Sequence, residues 1–451
     1  MAGNAVTDCS IDFEKFHAAL GNANLLNCRG SIVRVSGLTV ESNGPSVGLG
    51  ELCGIHIRDG KRVLAEVVGF QNNHIILLPL EHISGISPGD TVTTLTSPRC
   101  IMLSENVLGR VLNGLGEPID NKGPLEGVDR KELDACSPTP LSREKISKPL
   151  ALGIRSIDGI LTCGKGQRVG IFAGSGIGKS VLLGDIANSS DADVNIVALI
   201  GERGREVREF LESDLGPDGL ERSVVIVAAS DSPPIQRVKA AFVAVTIAEY
   251  FRDIGKNVLF MMDSLTRFAQ AQREIGLAAG EPPAAKGYCP SVFSLMPRLI
   301  ERLGCAETGS ITGILTVLVE NDDLSDPVAD SARSLLDGHI VLSRKLAERA
   351  HYPAVDILQS VSRLMSVVAN KEHKQAAQKL REIYATYLDA EDLINIGAFS
   401  SGSNRRIDGA IALIDKIREF LIQPVRQKTC FNDTLEWLTD ITKTWDQLLG
   451  P

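Results

Sequence analysis

The densest chemical signal in this sequence is the octet Ala173-Gly-Ser-Gly-Ile-Gly-Lys-Ser180, which follows an apolar run and opens a helical stretch. A glycine-rich turn between strand and helix lets backbone amides approach a phosphate, and the helix N-terminus adds partial positive charge. Gly174, Ser175, Gly176, Ile177, Gly178, Lys179, Ser180 and Val181 therefore read as a phosphate cradle, with all three glycines expected to take positive φ. Lys179 would reach the β- and γ-phosphates of ATP and Ser180 would ligate Mg²⁺. Ala173 stands where the motif usually has its first glycine, which is tolerable if that position keeps ordinary negative φ.

Other residues qualify by type and place. Asp263 comes just past the apolar run Val258–Met262, at the edge where open α/β sheets bind ligands, and reads as the magnesium-side carboxylate. Capping the next helix is its competing role. Glu202, in Gly201-Glu-Arg-Gly-Arg-Glu-Val-Arg after Val194–Ile200, is placed to orient and polarise an attacking water, with Arg203 beside it as a further catalytic candidate. The same residues also read as a solvated charge run at a helix start. Arg363 could neutralise transition-state charge, even across a subunit boundary, or be an ordinary surface arginine. Tyr352 could stack on adenine or fill a gap.

Positioning such groups needs a scaffold, and the apolar pattern supplies one. Val169–Ala173, Val194–Ile200, Val224–Ala228, Val258–Met262 and Ile311–Val319 are unbroken apolar runs, most of them separated by helical stretches. That pattern marks a buried, mainly parallel sheet with helices on both faces, an α/β core. Ahead of it, Ser31–Val35, Arg62–Val68 and His74–Leu78 alternate with turn residues and imply a small N-terminal β-barrel. Residues 97–150, rich in Gly, Pro and Asp, read as a connector, and Lys374–Leu388, Arg406–Gln423 and Asn432–Leu448 form a C-terminal helical domain. The amphipathic segment 11–20, with Phe13, Phe16 and Leu20 on one face, suits either a core or a partner. The expected division is an N-terminal helix at 1–25, the barrel at 26–96, the ATPase domain with its leading connector at 97–370, and helices at 371–451.

A net charge of −9 over 451 residues argues against a sequence-wide electrostatic grip on nucleic acid or an anionic bilayer. Nine scattered cysteines without a Cys-x-x-Cys pair suggest neither a disulfide framework nor a zinc site. No apolar run reaches membrane-spanning length and the first residues lack a basic secretory start, so a cytoplasmic chain is expected.

Longer motifs carry a family resemblance. Gly109-Arg-Val-Leu-Asn-Gly-Leu-Gly-Glu-Pro-Ile-Asp, the phosphate loop, Gly201-Glu-Arg and Pro353-Ala-Val-Asp-Ile-Leu-Gln-Ser-Val-Ser together resemble the α/β-subunit family of rotary ATPases, over roughly residues 25 to 425. The resemblance implies a β-barrel, a RecA-like nucleotide domain and a helical domain, assembled as a hexameric ring of like chains. It implies Lys179 as the phosphate-binding lysine, Glu202 as the catalytic glutamate, Asp263 on the magnesium, Tyr352 on adenine, and Arg363 as the finger given to a neighbour's site.

Within that family, Asp263–Ala278, Gly280-Glu-Pro-Pro-Ala-Ala-Lys-Gly-Tyr, Asp330–Arg344 and Leu393-Ile-Asn-Ile-Gly-Ala-Phe are most similar to the ATPases of type III protein export. Gly37–Ser42 and Gly48–Cys53 lean toward the flagellar branch rather than the injectisome. The resemblance implies work at the inner face of the bacterial membrane, releasing chaperones and feeding unfolded substrates to an export gate. A regulator at the N-terminal helix and a central coiled-coil stalk, touched by the Lys286-Gly-Tyr loop, are the further partners implied. Three rivals are less well matched. A rotary synthase catalytic subunit would usually carry an acidic rotor-contacting segment, and a non-hydrolysing ring subunit commonly lacks the carboxylate seen at Glu202. A Rho-like RNA translocase would need clustered aromatic and basic residues in its barrel.

Overall fold

The computed structural model describes residues 28–81, 84–95, 100–127, 129–319 and 325–449, so the amphipathic segment 11–20 lies outside the described residues. The chain divides between Pro98 and Arg99 into two compact units.

In the first unit, alternating side chains close a six-stranded barrel. The order is Arg29–Ser36, Thr39–Ser42, His74–Pro79, Arg62–Gln71, Leu52–His56, Thr91–Leu95, which returns to Arg29–Ser36. Val63, Ala65 and Val67 of one strand point inward at every second residue, the period of a pleated sheet, and meet Val40, Ile55, Leu77 and Val92 in the interior. The expected barrel is present.

The second unit is built on a nine-stranded, mainly parallel sheet. Its order is Val355–Ser362, Gly338–Leu342, Arg168–Ala173, Ser310–Leu318, Asn257–Asp263, Val194–Ile200, Ser223–Ala228, Val111–Asn113, with Gly304–Cys305 added antiparallel to Ser310–Leu318. The five apolar runs form five of these strands, and those in the middle are buried along almost their whole length because helices cover both faces. Val355–Ser362 runs antiparallel to its neighbour, which places its two ends at opposite edges of the sheet.

Residues 97–150 are more than a connector. Val111–Asn113 pairs in parallel with Ser223–Ala228 and forms the last strand of the sheet. The turn after it is pinned by Arg110, which donates to both oxygens of Asp120 at 2.7 and 2.9 Å, while Val111 N donates to Asp120 at 3.1 Å. Those bonds hold the Asp120 carboxyl well below the usual carboxylate range, so this motif serves structure.

Three C-terminal helices, Lys371–Asn395, Arg405–Leu421 and Phe431–Leu449, complete the unit. Asn370 and Asn404 cap the first two through their side-chain oxygens. Leu380, Phe420, Leu438 and Trp445 bury against one another and share a core with Ile157 and Ile160 of the short helix Arg155–Ile160. The docking is close: a Cβ at Gly159 would lie 2.9 Å from Phe420.

Candidate active site

The phosphate loop follows from two local facts. Strand Arg168–Ala173 is held between Ser310–Leu318 and Gly338–Leu342, and helix Lys179–Ser189 starts six residues after its end, with the side chain of Ile177 buried as an anchor. Ala173 is the last residue of that strand, where a side chain is ordinary. Gly176 and Gly178 take φ of 79° and 86°, which a side chain would strain. Gly174 does not, contrary to expectation. Its smallness serves packing, since a Cβ there would come within 3.0 Å of Arg344 and 3.1 Å of Ile177.

The loop delivers Lys179 to the sheet's carboxyl edge. There its ammonium bonds to Asp263 and lies 3.4 Å from Glu202. Asp263 is the last residue of Asn257–Asp263, and its register partner Leu199 stands three residues before Glu202, so adjacent parallel strands bring the two carboxylates to one edge. Thr316, on the strand at the other side, donates to Asp263 at 2.8 Å. Asp263 does not cap the helix that follows; Ser264 does, accepting from Arg267 N at 3.2 Å.

Charge is crowded at this edge. Burial works against the Lys179 ammonium, but the charges of Asp263 and Glu202 outweigh it and its pKa rises. Burial and the Asp263 charge push the Glu202 carboxyl up to about 7, against the pull of Lys179. Glu202 is thereby held near neutrality, as suits a group that handles a proton of water. One ammonium facing two carboxylates leaves the edge short of positive charge for a polyphosphate. Ser180, at the first turn of the helix, and Asp263 are the hydroxyl and carboxylate that a divalent cation would use.

Tyr352, a residue 42% exposed, reaches the loop from the start of the antiparallel strand: a Cβ on Gly178 would lie 3.5 Å from its ring. Arg363, beyond the far end of that strand, sits at the opposite edge of the sheet, at Gly338 rather than Leu342. Eight residues of strand span about 26 Å, so Arg363 cannot serve the phosphate loop of its own chain. Arg203 is not in the cluster either; its side chain is 79% exposed and pairs with Glu206 at 3.6 Å.

Three groups near the site have a place there that the sequence pattern does not assign. Thr316 lies inside an apolar run. Arg344 borders Gly174. Arg267 packs on Gly201, where a Cβ would meet its Cβ at 2.8 Å, and its buried Nε has no partner among the described residues.

The comparisons with known proteins agree over most of the chain. Residues 32–95 and 153–362 match the β-barrel and nucleotide-binding domains of the ATP synthase alpha/beta family, and residues 369–440 match the C-terminal domain of the T3SS EscN ATPase. The flagellum-specific ATP synthase of Bacillus subtilis is 50% identical over 415 residues, 92% of this chain and 95% of that one. The type 3 secretion system ATPase of Xanthomonas euvesicatoria is 50% identical over 414 residues, 92% of this chain and 94% of that one. The chain belongs to the type III secretion and flagellum-specific ATPases. Among solved structures, the assembled ATPase EscN from enteropathogenic E. coli superposes on this ATPase with a TM-score of 0.87 at 45% identity, covering 92% of this chain and all of that one. EscN in complex with its central stalk EscO matches with a TM-score of 0.85 at 44% identity, over 92% of this chain and all of that one.

Proposed function

We propose that this ATPase hydrolyses Mg²⁺-ATP at the edge formed by Lys179, Glu202 and Asp263, and that the site is completed by Arg363 of a second copy. The observation that carries the reading is the convergence of three strand or loop ends: Lys179 bonded to Asp263, with Glu202 3.4 Å away and held near neutrality. Residues 174–181 would cradle the phosphates through their amides, with Lys179 as the mobile cation. Ser180 and Asp263 would hold the magnesium, whose charge offsets that of the phosphate oxygens. Glu202 would orient water and accept its proton, and Tyr352 would cover the adenine ring. Arg363 is exposed, and its position at the far sheet edge supports action on a neighbour in a ring, most simply a hexamer. Arg203 has the weakest support of the catalytic candidates, because only an assembled neighbour could draw it in.

The wider role is export. The relatives named for flagella and for type III secretion support chaperone release and substrate feeding at an export gate, in the cytoplasm against the inner membrane face. No helix among the described residues is long and apolar enough to cross a membrane. A central coiled-coil stalk is supported by the EscN–EscO structure, and a regulator at the N-terminal segment by its amphipathic pattern alone. Relatives of both branches reach 50% identity, so the flagellar assignment rests on Gly37–Ser42 and Gly48–Cys53, and neighbouring basal-body or injectisome genes decide it. We further propose domain boundaries near residues 26, 97 and 371.

Glu202→Gln tests the chemistry. It should bind ATP like the parent and lose hydrolysis; turnover at the parental rate removes Glu202 from the mechanism.

A further inference from the structure

An arginine that stabilises charge on another subunit's phosphate must arrive with sub-ångström accuracy, yet a long exposed side chain has several rotamers to lose. The described structure leaves the Arg363 guanidinium almost free: it donates to Arg333 O at 3.2 Å and makes no ion pair among the described residues. Its backbone is the reverse. Arg363 N donates to Asp337 O at 3.0 Å, and the preceding Ser362 hydroxyl donates to Thr162 O at 2.9 Å.

The group that grips this peptide is itself locked. Gln167, with no exposed surface, donates through one amide nitrogen to Asp337 O at 3.1 Å and Ser362 Oγ at 3.2 Å, while its oxygen accepts from Gly164 N at 2.8 Å. The Asp337 carboxylate accepts from Arg168 N at 3.1 Å, from Nε at 3.0 Å and from Nη2 at 3.3 Å. Arg168 in turn pairs with Glu301 at 2.7 Å. Burying an amide and enclosing an ion pair carries a desolvation cost that an apolar strand end would avoid. Beyond the sheet itself, the arrangement fixes the direction in which residue 363 leaves it.

We propose that Asp337 and Gln167 are positioning residues for Arg363, setting the root from which it reaches a neighbouring subunit. The inference rests on the reading that Arg363 acts between copies. Arg168 also opens the strand that ends at this chain's own phosphate loop, so the root of the finger and the loop share one strand.

Mixed assemblies separate positioning from general damage. Arg363→Ala chains keep a complete phosphate site and lack the finger, while Glu202→Gln chains keep the finger and lack hydrolysis, so the mixture works only through fingers donated to Arg363→Ala sites. Asp337→Asn is then added to one partner at a time. Added to the Glu202→Gln donor, it should lower the mixture's turnover roughly 10-fold or more; added to the Arg363→Ala acceptor, it should change turnover by less than about 2-fold. Equal losses in both arms, a loss confined to the acceptor, or no loss in the donor overturns the proposal. A parent mixture that co-assembles and shows no turnover overturns the intersubunit reading itself. Should Asp337→Asn fail to fold, Gln167→Met in the same two arms gives the same comparison.

Discussion

Glu202→Gln has a second consequence, in stability, that follows from how the carboxyl is held. Its side chain is only 16% exposed, and burial with the neighbouring Asp263 charge raises its pKa from 4.5 to about 7. Between those values the folded chain holds a proton that the unfolded chain has released. Ionising Glu202 therefore costs the folded state stability as pH rises through that window, with almost no cost below it and the full cost above. That rise from 4.5 to about 7 corresponds to about 3 kcal/mol at pH 8 and under about 1 kcal/mol at pH 5.

Glutamine does not titrate and removes that cost. Lys179 loses one weak acceptor but keeps Asp263, which subtracts about 1 kcal/mol. The inactive variant should thus be more stable than the parent by about 2 kcal/mol at pH 8, and the advantage should vanish or reverse at pH 5. Urea unfolding of nucleotide-free protein, followed by the fluorescence of Trp437 and Trp445, reads this directly because both tryptophans lie in the same compact unit as the site. A variant that is less stable at pH 8, or whose difference from the parent is the same at both pH values, would show that ionised Glu202 costs the folded chain nothing.

Other substitutions probe single links. Thr316→Val removes the 2.8 Å bond to Asp263 at nearly constant volume, and should lower kcat/KM for Mg²⁺-ATP about 10-fold in steady-state assays, since a bond to a charged group is worth roughly 1.5–3 kcal/mol. Tyr352→Ala should raise KM for ATP with little change in kcat, and Tyr352→Phe should restore it, because the proposed stacking uses the ring face alone. Phe420→Ala opens the fully buried contact between the helical region and Gly159, and should cost about 3–5 kcal/mol, seen as a lower thermal midpoint.

What could be read from the sequence was whatever is local along it. The phosphate loop is eight consecutive residues, and the central strands are unbroken apolar runs, so both declare themselves without a fold. Val111–Asn113 does not, being three residues among turn formers, nor do Gly338–Leu342 and Val355–Ser362, whose alternating burial reflects a half-covered sheet margin. Thr316 and Arg267 are invisible for another reason: one reaches the site only through strand pairing, the other only by packing on Gly201. Strand direction likewise decides what Arg363 can do, because an antiparallel Val355–Ser362 carries it away from its own phosphate loop.

Lys179, gathered with Asp263 and Glu202, is proposed as the phosphate-handling cation of a magnesium-dependent ATPase. Phosphate release from Mg²⁺-ATP by the parent chain and by Lys179→Ala, at matched concentration and with folding checked by circular dichroism, tests it most directly. Turnover should require magnesium in the parent and should not rise above background in the variant. A folded Lys179→Ala chain that hydrolyses ATP at the parental rate would contradict it.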